Sequence, residues 1–167
     1  RYLELVLALR EAMPDIALST DMIVGFPGEL EADFEQTLSL VSTVRYHSMF
    51  SFKYSERPNT LASKRMPDDV SDAEKTERIV ALQRLQRTIQ SRLHEQAVGR
   101  EVEVLIDAAS RRRDGEMSGR TGGNTVVNVP VPAGSGRAVD WVGRTVRVLI
   151  KRAGPNSVWG EVAGLSC

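Results

Sequence analysis

Residues 20–29, reading Thr-Asp-Met-Ile-Val-Gly-Phe-Pro-Gly-Glu, constrain the fold more than any other stretch of the chain. The run Met22, Ile23, Val24 is short, apolar and largely β-branched, the texture of a strand covered on both faces. Gly25, Pro27 and Gly28 stop a regular element from passing through, so a strand gives way to a turn and then to a helix. In parallel α/β sheets and barrels, ligands lie at the carboxyl ends of the strands. That rule aims Asp21 and the backbone of residues 25–29 at whatever is bound there. The same ten residues also fit a purely structural strand-to-helix corner.

The flanking segments extend this unit. Residues 2–13 place Leu5, Leu9 and Ala12 or Met13 on one helical face, and Pro14 ends that helix. Residues 30–44 place Leu30, Phe34, Leu38, Val41 and Val44 on one stripe, with Glu31, Asp33 and Glu35 outward near the helix's positive end. Residues 49–54 then read as a strand with Phe50, Phe52 and Tyr54 on one face. Helix, strand, helix, strand is the rhythm of a parallel α/β sheet. A closed barrel takes about 250 residues, so two candidate strands are a remnant, and residues 1–5 already read as helix interior. The expectation is a piece of a longer polypeptide. Its unpaired strand edge and apolar faces predict self-association. Residues 54–60 leave the strand as a loop with a turn at Pro58 and Asn59. Lys53, Arg57, Lys64 and Arg65 make this region basic, which suits either a solvated loop or an anionic ligand or RNA held beside Tyr54.

Ser71 and Glu74 form a capping-box pattern, and a helix runs from there to about residue 97 with Ile79, Leu82, Leu85 or Gln86, Ile89, Leu93 and Ala97 as its apolar stripe. Gly99 ends it. Arg78, Arg84, Arg87 and Arg92 fall on other faces and read as solvated side chains, with RNA contact as the alternative. His47 and His94 have no neighbouring ligand pattern and read as structural.

From Arg100 the texture changes to short alternating runs separated by Gly and Pro. Residues 101–106, 116–120, 126–129, 145–150 and 158–162 read as five strands, the signature of a small OB-like β-barrel. Arg111, Arg112, Arg113, Arg120, Thr121, Lys151 and Arg152 supply phosphate-binding groups, and Asn124 and Asn128 supply amides. No row of aromatic residues is evident, which gives little support to base stacking.

Composition adds exclusions. At 41% hydrophobic and 26% charged residues the chain is a soluble globular protein, and no apolar run approaches the roughly 20 residues that span a bilayer. One cysteine, Cys167, excludes an internal disulfide and a cysteine metal cluster within the chain, so no metal site is expected and a cytoplasmic location fits. The zero net charge divides into −3 over residues 1–97 and +3 over residues 98–167, a balance that permits RNA binding by the second half.

Residues 20–29, residues 52–60 (Phe-Lys-Tyr-Ser-Glu-Arg-Pro-Asn-Thr) and residues 119–128 (Gly-Arg-Thr-Gly-Gly-Asn-Thr-Val-Val-Asn) together resemble the radical S-adenosylmethionine methylthiotransferases. The resemblance covers nearly the whole chain and looks closest to the tRNA-directed MiaB type, which favours the Gly-Arg-Thr, Asn, Val-Val-Asn order. It implies an α/β plus all-β fold. Residues 1–66 would be the last part of a partial TIM-like radical barrel, residues 67–98 a connecting helix, and residues 99–164 a five-stranded TRAM barrel that binds tRNA. It further implies S-adenosylmethionine and two 4Fe-4S clusters in the intact enzyme, with tRNA and the missing N-terminal domains as partners. Asp21, Ile23, Gly25, Glu29, Lys53 and Tyr54 would lie near the cofactor, and Arg57 near cofactor or substrate. The six cluster thiolates lie outside this chain, which is expected to be colourless and inactive alone. The family's loop usually reads Tyr-Ser-Pro-Arg-Pro-Gly-Thr; Glu56 and Asn59 replace its first proline and its glycine, and Asn59 is expected to take the left-handed conformation. The radical enzymes' Gly-x-Ile-x-Gly-x-x-Glu pattern is met at Ile23 and Gly25, with Asp21 in the first glycine's place and Glu29 shifted by one. A ribosomal-protein methylthiotransferase fragment and a stand-alone RNA-binding module are the two alternatives.

Overall fold

Two units make up the chain, the first spanning Arg1–Ile89 and the second beginning at Gln90. The structure is a computed structural model and describes residues 1–110 and 113–164.

In the first unit, α1 (Tyr2–Ala12), β1 (Ser19–Val24), α2 (Glu31–Val44) and β2 (Ser48–Lys53) follow in order. β1 and β2 pair in parallel, with Asp21 opposite Phe50 and Ile23 opposite Phe52. The expectation of a strand covered on both faces is corrected. Val24 is buried, whereas Ile23 is 54% exposed, because α-helices cover one face of this two-stranded sheet. Phe50 (65%) and Phe52 (52%) share the open face with Ile23.

The packed face of α1 also differs from the expected leucines: Val6 is buried while Leu5 and Leu9 are exposed. The stripe that docks is Tyr2, Val6, Arg10. Tyr2 Oη lies 2.6 Å from Tyr46 Oη, and Arg10 donates to the Val44 carbonyl. Burial, and then the Tyr2 hydroxyl, push the Tyr46 phenol well above its usual range. On α2, Phe34, Val41 and Val44 are buried as expected. Leu30 instead caps the helix and is exposed, its N–H donating to the Asp33 carboxylate at 3.0 Å.

A short helix, α3 (Leu61–Arg65), occupies part of the basic segment, capped by Thr60, whose Oγ1 accepts from Ser63 N at 3.2 Å. Asn59 does adopt the left-handed conformation, at φ 68°. α4 (Asp72–Ala97) opens on the expected capping box: Ser71 N donates to the Glu74 carboxylate (3.0 Å) and Glu74 N to Ser71 Oγ (3.2 Å). The buried stripe of α4 in the first unit is Lys75, Arg78, Leu82, Gln86 and Ile89, so Arg78, expected at the surface, is an interior residue.

The second unit is a closed five-stranded barrel in the order β3-β4-β5-β7-β6, from β3 (Glu101–Ala109), β4 (Glu116–Thr121), β5 (Val126–Pro130), β6 (Thr145–Ala153) and β7 (Val158–Val162). β5 and β7 pair in parallel and the remaining neighbours antiparallel. Alternation sends Val104, Ile106, Met117, Val127, Val129, Val148, Ile150 and Val158 inward. An unanticipated 3-10 turn, Ala138–Trp141, adds Trp141 to this core. The last turns of α4 belong to this unit, and His94 is structural there, its Nδ1–H donating to the Gly154 carbonyl at 2.7 Å. No helix among the described residues is long and apolar enough to cross a membrane.

Candidate functional site

At the carboxyl ends of β1 and β2, Gly25 turns the chain at φ 68° and donates its N–H to the Glu29 carboxylate. A Cβ at Gly25 would overlap Lys75 Cγ, which is why the turn takes a glycine. Glu29 is held in turn by Arg78: Nη1 lies 2.8 Å from Glu29 Oε2 and 3.0 Å from the Glu29 carbonyl. Both charges are taken out of water, and the double contact to Glu29 together with the Gly25 N–H compensates for that. Lys75 is buried too. Its Nζ bonds both oxygens of Asp68 at 2.6 Å and stands 5.3 Å from the centre of the Tyr54 ring. Tyr54 meets Phe26 edge to face, centroids 5.0 Å apart. Lys53 donates to Asp72 at 2.8 Å and to Thr76 at 3.1 Å, and that Lys53 bond holds the Asp72 carboxyl below its usual range.

The six residues expected near a cofactor therefore fall into two groups. Gly25, Glu29, Lys53 and Tyr54 are tied to α4 and to the segment before it. Asp21 and Ile23 lie on the open sheet face beside Phe50 and Phe52. Arg57 sits in the exposed loop before Asn59. The partners that sequence reasoning passed over are Lys75, Arg78 and Asp68; a cation at two successive turns of the apolar stripe of α4 was the available signal. Among the described residues no cluster of His, Cys, Asp or Glu is placed to hold a metal ion.

On the barrel, two bulges position charged side chains. One inserts Asp107 between Ile106 and Ala108 of β3, and the other inserts Lys151 between Ile150 and Arg152 of β6. Arg120 bridges from Asp107 (3.3 Å) to Asn124 Oδ1 (2.9 Å). Asn124 takes a left-handed φ of 64°, and Thr121 Oγ1 accepts from Thr125 N at 3.1 Å, so residues 119–125 form a self-bonded hairpin turn. Lys151 lies 3.9 Å from Glu161, and Arg113 lies 3.6 Å from Glu116. Asn128 Nδ2 donates to Ser157 Oγ at 3.1 Å. Arg152 has an aromatic neighbour instead: its guanidinium carbon is 5.8 Å from the centre of the Trp159 ring. Arg111 and Arg112 lie outside the described residues.

A barrel of this topology, with the Gly-Arg-Thr turn folded in this way, coincides with the match of residues 95–163 to the TRAM domain model. Residues 95–163 are thus similar to TRAM domains. The similarity extends beyond the TRAM domain, along nearly the whole chain, to the C-terminal part of proteins named tRNA-2-methylthio-N(6)-dimethylallyladenosine synthase. The chain is 47% identical to the one from Geobacter metallireducens over 97% of its residues, 43% identical to the one from Magnetococcus marinus over 96%, and 43% identical to the one from Solibacter usitatus over 98%. It spans about a third of the length of these curated relatives, 35%, 35% and 36% respectively.

Proposed function

We propose that the chain is the C-terminal part of a radical S-adenosylmethionine methylthiotransferase that adds a methylthio group to the isopentenyladenosine next to the tRNA anticodon. The observation that carries this reading is the 43–47% identity, over 96–98% of the chain, to proteins that bear that activity in their name. Residues 1–66 supply the end of the radical barrel, residues 67–98 connect, and residues 99–164 hold tRNA. The reaction then belongs in the cytoplasm.

The open sheet face suits the cofactor's adenosyl end: Ile23, Phe50 and Phe52 offer apolar surface, and Asp21 a single carboxylate among them. When bound, S-adenosylmethionine and the two 4Fe-4S clusters would supply the radical and the sulfur. The role of this chain is positional. Arg78 and Glu29 fix the turn after β1, and Lys53 and Asp72 fix the end of β2, so that the backbone at the strand ends presents one shape to cofactor and substrate. One cysteine in the chain does not fit a cluster, so no step through a cluster is assigned to these residues.

A stand-alone RNA-binding module is the second reading, favoured by the TRAM barrel being the one closed sheet among the described residues. Titration of labelled tRNA, unmodified ribosomal protein and an unrelated RNA against the chain separates the readings. We expect weak tRNA binding that fades as salt rises; tight binding to the ribosomal protein alone would overturn the tRNA assignment. Anaerobic assay of the full-length protein for 2-methylthio product in tRNA then distinguishes an enzyme from a binding module.

A further inference from the structure

The outer surface of the barrel carries one row that neither the TRAM match nor the relatives' names assign. Cross-strand neighbours Arg152 (β6), Trp159 (β7), Asn128 (β5) and Ser118 (β4) stand side by side: Arg152 pairs with Trp159, Trp159 with Asn128, and Asn128 with Ser118. Their parity is outward, since Val158 and Gly160 on either side of Trp159 are buried. Trp159 is partly exposed and held from below, its indole N–H donating to Glu116 Oε1 at 3.2 Å. That bond fixes the ring plane without using its face. Three carboxylates flank the row, each beside a cation that offsets its charge: Glu116 beside Arg113, Glu161 beside Lys151, and Asp107, to which Ser118 Oγ donates at 3.4 Å, beside Arg120. Among the described residues Arg152 is paired with no carboxylate and no donor meets Asn128 Oδ1, whose amide is engaged through Nδ2 by Ser157; Arg152 is exposed.

We propose that Trp159 is a stacking platform for one unpaired base of the bound RNA, with Arg152 on the adjoining phosphate and Asn128 Oδ1 facing the exocyclic amine of the base. This rests on the RNA-binding reading of the TRAM domain and deepens it. The chemistry is that of single-strand recognition: an aromatic face accepts any base, an arginine beside it both stacks and neutralises phosphate, and an amide discriminates among base edges. Duplex RNA offers no free base face and gains nothing from the row.

The test uses the whole chain with two probes, a short single-stranded oligoadenylate and a blunt RNA duplex, read by anisotropy across a salt series and by tryptophan emission. The chain has two tryptophans, and Trp141 is buried, its Nε1 donating to the Ser135 carbonyl at 3.3 Å, so quenching on binding reports Trp159. The single strand should quench emission and bind more tightly than the duplex. Trp159→Leu should weaken oligoadenylate binding roughly tenfold, within the range for loss of one base stack, and leave the salt slope unchanged. Trp159→Phe should retain most of the affinity and lose the quench, which keeps the proposal testable if the leucine variant folds poorly. Arg152→Gln should reduce the log–log salt slope by about 0.7, one single-strand phosphate contact. Equal binding by wild type and Trp159→Leu, or binding without quenching, overturns the stacking proposal alone. A wild-type chain that binds neither RNA overturns the RNA reading of the barrel, and the platform with it.

Discussion

Arg78 shows how a single residue can carry more structure than its sequence context announces. The residue is 6% exposed, and its guanidinium joins the interior of α4 to Glu29 and through Glu29 to the Gly25 N–H. Removing one member of a buried ion pair leaves the other uncompensated. Arg78→Ala should therefore cost about 3–5 kcal/mol, and the double variant Glu29→Ala, Arg78→Ala much less than the sum of the two single changes. Denaturant unfolding of the four proteins measures this; simple additivity would show that the pair does not act as a unit. Its place with Lys75 on the apolar stripe of α4 sets Arg78 apart from Arg84 and Arg87, but helical spacing reports which side chains share a face and not which partner waits there.

At the scale of elements, bulge and glycine act together in the barrel. Gly119 pairs with Ile106 beside the Asp107 bulge, and Gly160 pairs with Ile150 beside the Lys151 bulge. A Cβ at Gly119 would overlap the Leu105 carbonyl oxygen, and one at Gly160 would press on Val148 and the Leu149 backbone. Strands that bend sharply enough to close five into a barrel approach too closely at these corners for a side chain. Gly119→Ala should destabilise the barrel by roughly 1–3 kcal/mol, whereas Gly122→Ala, with open space around it, should stay within about 0.5 kcal/mol. Thermal unfolding of the two variants checks the contrast. The start of α4 makes a pH-dependent counterpart. The Ser71 hydroxyl, then the Ser71 backbone N–H, hold the Glu74 carboxyl below its usual range. A carboxyl depressed in the folded state stabilises above its unfolded pKa, and that contribution is lost as pH falls through the folded value. Helicity and melting temperature should accordingly decline below the ordinary carboxylate range. Ser71→Ala should lower stability at neutral pH by about 1 kcal/mol and flatten the acid response; an unchanged acid response would remove the cap from the explanation.

At the scale of the whole molecule, the open face of the two-stranded sheet has the largest consequence. Ile23, Phe50 and Phe52 expose an apolar surface that water disfavours. The chain on its own should associate with a second copy through this face and the free strand edges, and the double variant Phe50→Ser, Phe52→Ser should shift sedimentation toward the monomer. Unchanged association in that variant would place the contact elsewhere. The sequence by itself determined the alternation of elements, the parity of the five barrel strands, the Ser71 to Glu74 cap and the left-handed Asn59, because each follows from spacing or backbone sterics within a few residues. Only the tertiary structure decided that Val6 and not Leu5 docks α1, that Ile23 faces out of its sheet, that Lys75 and Arg78 are interior, and that Arg152, Trp159 and Asn128 form one row. Those outcomes depend on which segments, distant in sequence, meet across α4 or around the barrel, and periodicity along a chain contains no term for a partner 30 or more residues away.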